Sequence, residues 1–193
     1  MLSKIVKKIT DEIVMNVPGI TEEKAEQIDY GLYVAFSDSL KLIAVLITAL
    51  FLGKFEYTVV AAVVFALNKS YLGGAHAKTQ VGCLISYFVF IFSSVYICES
   101  VDVLYINIFL FIVSGILAAL FAPADLVTKP IISERKKKEL KIKGSLLLLL
   151  LFLVSFFVPV VYSNIISLIT LISTINTTPL VYKLTKNKRG GII

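Results

Sequence analysis

The single histidine of this 193-residue chain, His76, stands seven residues before Cys83, one of only two cysteines. Both lie in Asn68-Lys-Ser-Tyr-Leu-Gly-Gly-Ala-His-Ala-Lys-Thr-Gln-Val-Gly-Cys83, a polar, glycine-bearing stretch between long apolar runs. A cysteine acts as a nucleophile through its thiolate, and an imidazole within hydrogen-bond reach is a common base for it. Any chemistry here that needs an imidazole must use His76. One histidine and two separated cysteines make no metal-ligating set, so no metal or other cofactor is expected.

Geometry attaches a condition to the pair. On a straight helix the two side chains would share a face but stand about 10 Å apart along the axis, too far for a hydrogen bond. The backbone must therefore break or fold back between them, and Gly73, Gly74 and Gly82 tolerate such turns. Cys83 would then open the next helix, where the amino-terminal dipole favours negative charge. The residues alone leave a second reading open, with His76 a polar loop residue and Cys83 a small apolar residue at the entrance of a span. Cys98 would lie about 22 Å beyond Cys83 on one helix and is read as structural.

The elements that must position this stretch follow from composition. Apolar residues make up 58% of the chain and the mean hydropathy is +0.89, against roughly 45–50% apolar residues in soluble domains. The fold class is therefore all-α, a polytopic membrane protein. Apolar runs at 31–53, 55–68, 82–98, 103–122, 145–162 and 164–182 give about six transmembrane helices at ~20 residues per span, the second being short. Ahead of them, Leu2, Ile5, Val6, Ile9 and Ile13 recur at helical spacing, the pattern of an amphipathic interfacial helix. Lys4, Lys7, Lys8 and Asp11 interrupt the apolar core that a signal peptide requires. Pro18-Gly19 should end this helix, and Thr21 with Glu22 and Glu23 should start a short second one.

Placing both termini in the cytoplasm puts 17 of the 19 basic residues inside, as the positive-inside rule demands. Lys54 is left outside with Glu56, Glu99 and Asp102, and the segment holding His76 and Cys83 falls on the cytoplasmic side. The net charge of +6 is thus read as topology, with no nucleic-acid partner. The expected organisation is one membrane-embedded domain over 1–193, comprising amphipathic helices at 1–30, a bundle at 31–182 and a basic tail at 183–193. Arg135, Lys136, Lys137 and Lys138 belong to a Lys-rich loop that could attract an acidic peptide tail or anionic membrane lipid. Asp38 and Lys41 should pair on one helix. Pro123 and Pro130 should shape the loop after the fourth span.

The string Gly73-Gly74-Ala-His76-Ala77, with Cys83 seven residues after the histidine and Lys69 seven before, resembles the signature of the accessory gene regulator B (AgrB) family. Ala122-Pro-Ala-Asp-Leu-Val-Thr-Lys-Pro-Ile131 with the Lys-rich stretch, and Thr178-Pro-Leu-Val-Tyr-Lys183, are similar to its later landmarks. Lys69 departs from the pattern, a point charge standing where a fork-shaped arginine is expected. The resemblance implies a membrane cysteine endopeptidase that matures quorum-sensing pro-peptides, and a homodimer. It implies Cys83 as nucleophile and His76 as general base and then acid. The partner it implies is an amphipathic, AgrD-like pro-peptide with an acidic tail. The acyl-enzyme thioester would be intercepted by a Cys or Ser of the peptide, closing a thiolactone or lactone. Lys69, Gly73, Gly74, Gln80 and Gly82 are candidates for substrate binding or for the oxyanion donors. Two rivals remain, a non-catalytic transporter or export partner for a small peptide and a membrane scaffold or receptor.

Overall fold

The computed structural model describes residues 2–77, 79–100, 105–126, 131 and 133–190. Lys78, Asp102 and residues 127–130, with Pro130, lie outside the described residues. The described helices are α1 (Leu2–Asn16), α2 (Glu22–Phe51), α3 (Phe55–Leu72), α4 (Gln80–Ser100), α5 (Tyr105–Phe121), α6 (Glu134–Ser155), α7 (Val160–Ile175) and α8 (Pro179–Leu184). Gly73 and Ala124 form an isolated parallel bridge. The chain forms two compact units, residues 1–48 and 49–193.

In the first unit, α1 ends before Pro18-Gly19, with Gly19 at a φ of 85°. The Thr21 hydroxyl then caps α2 by accepting the Lys24 N–H at 3.4 Å, satisfying one of the amides a helix start leaves unpaired. The Thr10 hydroxyl donates to Asp29 at 3.3 Å, and Lys41 pairs with Asp38 at 2.8 Å. The separate short helix expected before the first span does not exist, because α2 is continuous from Glu22 to Phe51. Its interior holds no proline, and the one glycine, Gly31, costs a helix only about 1 kcal/mol.

The second unit is built around α7, which packs against α3, α4, α5 and α6. Ser163, Ser167, Thr170, Ser173 and Thr174 of α7 are buried. Small residues let helix backbones approach closely, and their hydroxyls find partners inside the bundle. Asn107 of α5 donates to Ser163 at 2.9 Å and to Asn164 at 2.8 Å, and accepts from Ser167 at 2.6 Å. Asn68 of α3 donates to Thr170 at 3.3 Å. At the amino-terminal end of α3, Lys54 pairs with Glu99 at 2.6 Å and Tyr162 donates to Glu56 at 3.1 Å. The opposite end of α3 carries the stretch with His76.

Three further expectations need correction. The Lys-rich stretch is not a loop, since Arg135–Lys143 forms the first turns of α6. Lysine, arginine and glutamate are good helix formers, and Lys143 reaches back to Glu139 at 2.5 Å, an i,i+4 pair. That hydrogen bond holds the Glu139 carboxyl below its ordinary pKa and the Lys143 ammonium above its own. The run 145–162 is cut after Ser155, and α7 begins only beyond Pro159. The run 164–182 is cut at Asn176–Thr178, and Pro179 opens α8, a position where its missing N–H costs nothing.

Among the described residues two helices, α2 and α4, are long and apolar enough to cross a membrane. Ile106–Phe121 and Val160–Ile175 are apolar but shorter.

Candidate active site

Helix α3 stops where its glycines begin. The Gly73 N–H still reaches the Lys69 carbonyl at 3.1 Å, but φ is 73° at Gly73 and 117° at Gly74, values that glycine alone adopts readily. The chain from Gly73 to Ala77 then runs on outside any helix. It is held on two sides. Ala124 donates to the Leu72 carbonyl at 2.8 Å and accepts the Gly74 N–H at 2.9 Å, while the Ala75 N–H donates to the Asn176 carbonyl at 3.0 Å. A Cβ on Gly73 would overlap the Ala124 carbonyl, and one on Gly74 would stand 2.9 Å from the Asn176 oxygen. Close backbone approach is thus the physical reason for the glycine pair. Lys69 adds a third tie, its Nζ donating to the Ala75 carbonyl at 2.8 Å.

His76 leaves this strand exposed to solvent. Thr79 turns the chain into α4, its hydroxyl accepting the Gly82 N–H at 3.0 Å and its carbonyl the Cys83 N–H at 2.9 Å. Cys83 is therefore a first-turn residue of α4, half-buried and not in a disulfide. A Cβ on Gly82 would lie 3.3 Å from the Ala77 Cβ and 2.9 Å from the Thr79 hydroxyl. The residue after His76 thus packs against the residue before Cys83. The straight-helix separation does not apply, because His76 lies outside the helix that carries Cys83.

The remaining candidates divide. The amides of Gly73 and Gly82 donate within the segment itself and that of Gly74 donates to the Ala124 carbonyl, so in this conformation these glycines build the turn rather than present donors to a substrate. Lys69 is engaged with the strand. Gln80 is exposed at the start of α4. Cys98 is buried on the same helix as Cys83.

Beside the strand, the segment containing Ala124 also lines a cavity of about 310 Å³. Leu120, Phe121, Pro123 and Ile131 give it apolar walls, and Lys137, Lys141, Arg189 and Asp125 give it charge. Of the four basic residues singled out at the start of α6, Lys137 lines this cavity. Arg135, Lys136 and Lys138 are exposed elsewhere on the helix. Sequence reasoning missed Asn187, whose side-chain amide donates to the His76 carbonyl at 2.5 Å, and Arg189, which donates to the carbonyls of Phe121 and Thr177 at 2.6 and 2.7 Å. Their only signal was position in a basic tail, which reads as topology.

A helical protein with apolar helices of spanning length, carrying a His–Cys turn between two of its helices, defines the class. The family model described as Accessory gene regulator B matches residues 6–178, and the chain belongs to that family. It is 30% identical over 161 residues to Putative AgrB-like protein 2 of Clostridium perfringens (strain 13 / Type A), covering 79% of this chain and 74% of that protein. It is 31% identical over 143 residues to Accessory gene regulator protein B of Staphylococcus carnosus (strain TM300), covering 74% of each. A putative AgrB-like protein of Listeria innocua is 28% identical over 172 residues, covering 86% and 83%. No solved structure matches the chain.

Proposed function

We propose that this protein is a multi-pass membrane cysteine endopeptidase that cleaves an amphipathic, AgrD-like pro-peptide and promotes ring closure of the product. The observation that supports the reading is the contact between Ala77 and Gly82, the neighbours of His76 and Cys83, across the turn from α3 to α4. Six spans with both termini and the site on the cytoplasmic side, α1 lying in the interface, account for the distribution of basic residues.

In the reaction, His76 takes the proton of the Cys83 thiol, and Sγ attacks the scissile carbonyl carbon. The tetrahedral oxyanion collapses with loss of the peptide's carboxy-terminal part, whose amine takes the proton back from His76. The position of Cys83 at a helix amino terminus favours the negative charge it develops. The Cys83 thioester is then attacked by a thiol or hydroxyl of the peptide, which expels Sγ and closes the ring. Water must be kept from this step, and a site at the membrane border suits that need. Gln80 is the candidate oxyanion donor, and Lys69 holds the strand.

The test is to incubate the protein in lipid nanodiscs with the amphipathic, acidic-tailed peptide encoded beside it and to identify products and adducts by mass spectrometry. A hydroxylamine-labile adduct on the peptide containing Cys83, together with a released carboxy-terminal fragment, is expected. An intact precursor with no adduct, in protein that binds it, would overturn the peptidase and favour the export partner.

The cavity beside the strand is read as the seat of the acidic tail. Lys137→Gln with Lys141→Gln should raise KM for the acidic-tailed precursor roughly tenfold while kcat holds, and raising salt should reproduce the effect in wild type. An unchanged KM in both measurements would assign these lysines to topology or lipid alone.

A further inference from the structure

The segment after α8 turns back to the site. Just beyond α8 and its cap Thr185, Lys186 has a φ of 53°, with the Lys186 N–H bonded to the Lys183 carbonyl at 3.1 Å and the Asn187 N–H to the Tyr182 carbonyl at 2.9 Å. This pair of bonds is a Schellman ending, built here on a lysine in a conformation that disfavours side chains. It fixes the direction in which the chain leaves α8 and delivers Asn187 to the His76 strand.

There the Asn187 Nδ2 donates to the His76 carbonyl at 2.5 Å and to the Thr185 hydroxyl at 2.9 Å. Two residues on, one Arg189 nitrogen donates to the carbonyls of Phe121 and Thr177. Phe121 is the last residue of α5 and Thr177 follows the end of α7, and a cation at helix carboxyl ends is electrostatically favoured. The guanidinium lies over the Tyr182 ring, 5.3 Å from its centroid, a cation–π contact. The carbonyls gripped by Arg189 stand next to Asn176 and three residues before Ala124, the two backbone anchors of the strand. A Cβ on Gly190 would lie 2.5 Å from the Asp125 carboxylate, so the segment is seated closely there as well.

We propose that Asn187 and Arg189 are positioning residues of the active site. On this assignment the segment 185–190 is a strap, with Asn187 holding the exposed His76 by its own carbonyl and Arg189 holding together the two segments that anchor its strand. The proposal rests on the reading of His76 and Cys83 as a dyad. His76 is exposed, so loss of the bond to its carbonyl removes a backbone tether without removing a core contact.

The test uses the full chain in lipid nanodiscs and the rate of Cys83 alkylation by iodoacetamide between pH 5 and 9, read by mass spectrometry of the Cys83 peptide. The variants are His76→Ala, Asn187→Leu, Asn187→Asp, Arg189→Lys and Lys188→Ala. His76→Ala should abolish the part of the profile that depends on the imidazole. Asn187→Leu and Asn187→Asp should move the profile toward that of His76→Ala and lower turnover of the precursor at least tenfold with KM within about twofold. Arg189→Lys, which keeps the charge and loses the fork, should give a smaller loss in the same direction. Lys188→Ala should match wild type. Should Asn187→Leu fail to fold, Asn187→Asp keeps the side-chain shape and reads the same tether. A profile unaltered in His76→Ala would overturn the dyad itself. A profile altered in His76→Ala but of wild-type form and turnover in both Asn187 variants would overturn the strap and leave the dyad standing.

Discussion

Cys83→Ala and Cys83→Ser should each lower precursor cleavage on the order of 10³-fold or more, with the protein still inserted and folded. The thiol is half-buried in the first turn of α4, so its removal disturbs little packing and its effect is chemical. Serine keeps the geometry but its hydroxyl is a far weaker acid than a thiol, so a base tuned for sulfur does not activate it. His76→Ala should cost roughly 10²- to 10⁴-fold, the usual worth of a general base. Cys98→Ala is the internal control, because Cys98 is buried further along the same helix and should leave cleavage within about twofold. Cleavage retained in a well-expressed Cys83→Ala protein would remove the cysteine peptidase reading.

The glycine pair should be nearly as sensitive, for a structural reason. Gly73 has φ 73° and ψ −138°, a region open essentially to glycine alone, so strain of about 1–3 kcal/mol attends any side chain there. Gly73→Ala would also drive its methyl into the Ala124 carbonyl, which opens the bridge that seats the His76 strand. Cleavage should fall at least 100-fold, with a thermal midpoint lower by several degrees. Gly74→Ala, which meets the Asn176 carbonyl, should behave alike. Gly115→Ala on α5 is the matched control. Nothing lies within 4 Å of its added Cβ, and alanine in a helix interior is favoured over glycine by roughly 0.5–1 kcal/mol. If Gly73→Ala cleaves as well as Gly115→Ala, the strand is not what orders the site.

How much of this could be read beforehand depended on the range of the forces involved. The helices are legible because apolar runs, Pro18-Gly19 and the Thr21 cap act locally. The boundary at 155–160 was missed because Phe156, Phe157 and Val158 are apolar, so hydropathy does not register the turn before Pro159. At 176–179, by contrast, the short polar run Asn176-Thr-Thr-Pro179 is a local signal that was read through as part of a span. The helical start of α6 was misread because its lysines carry a topological signal strong enough to mask their helix propensity. At the site, the demand that His76 and Cys83 not share one straight helix followed from rise per residue, and Gly73 and Gly74 stand just before His76, where α3 ends. The partners of the strand, Ala124 and Asn176, and its tether, Asn187, were not legible. Each acts by a backbone or amide contact across 50 to 111 positions of sequence, and none has a residue type that announces such a role.

One consequence follows from α6 being a single rod. Its basic turns join its leucine-rich turns without a joint, and at the junction Gly144 sits so close to the end of α3 that an added Cβ would be 2.9 Å from the Leu72 side chain. At 1.5 Å per residue, Lys137 stands about 10 Å along the rod from that contact, and Lys141 about 4.5 Å. The lysines therefore encode a distance as well as a charge. On the proposed reading, an acidic tail bound by Lys137 would stand about 10 Å along α6 from the contact with the last turn of α3, and the helix would act as a ruler for it.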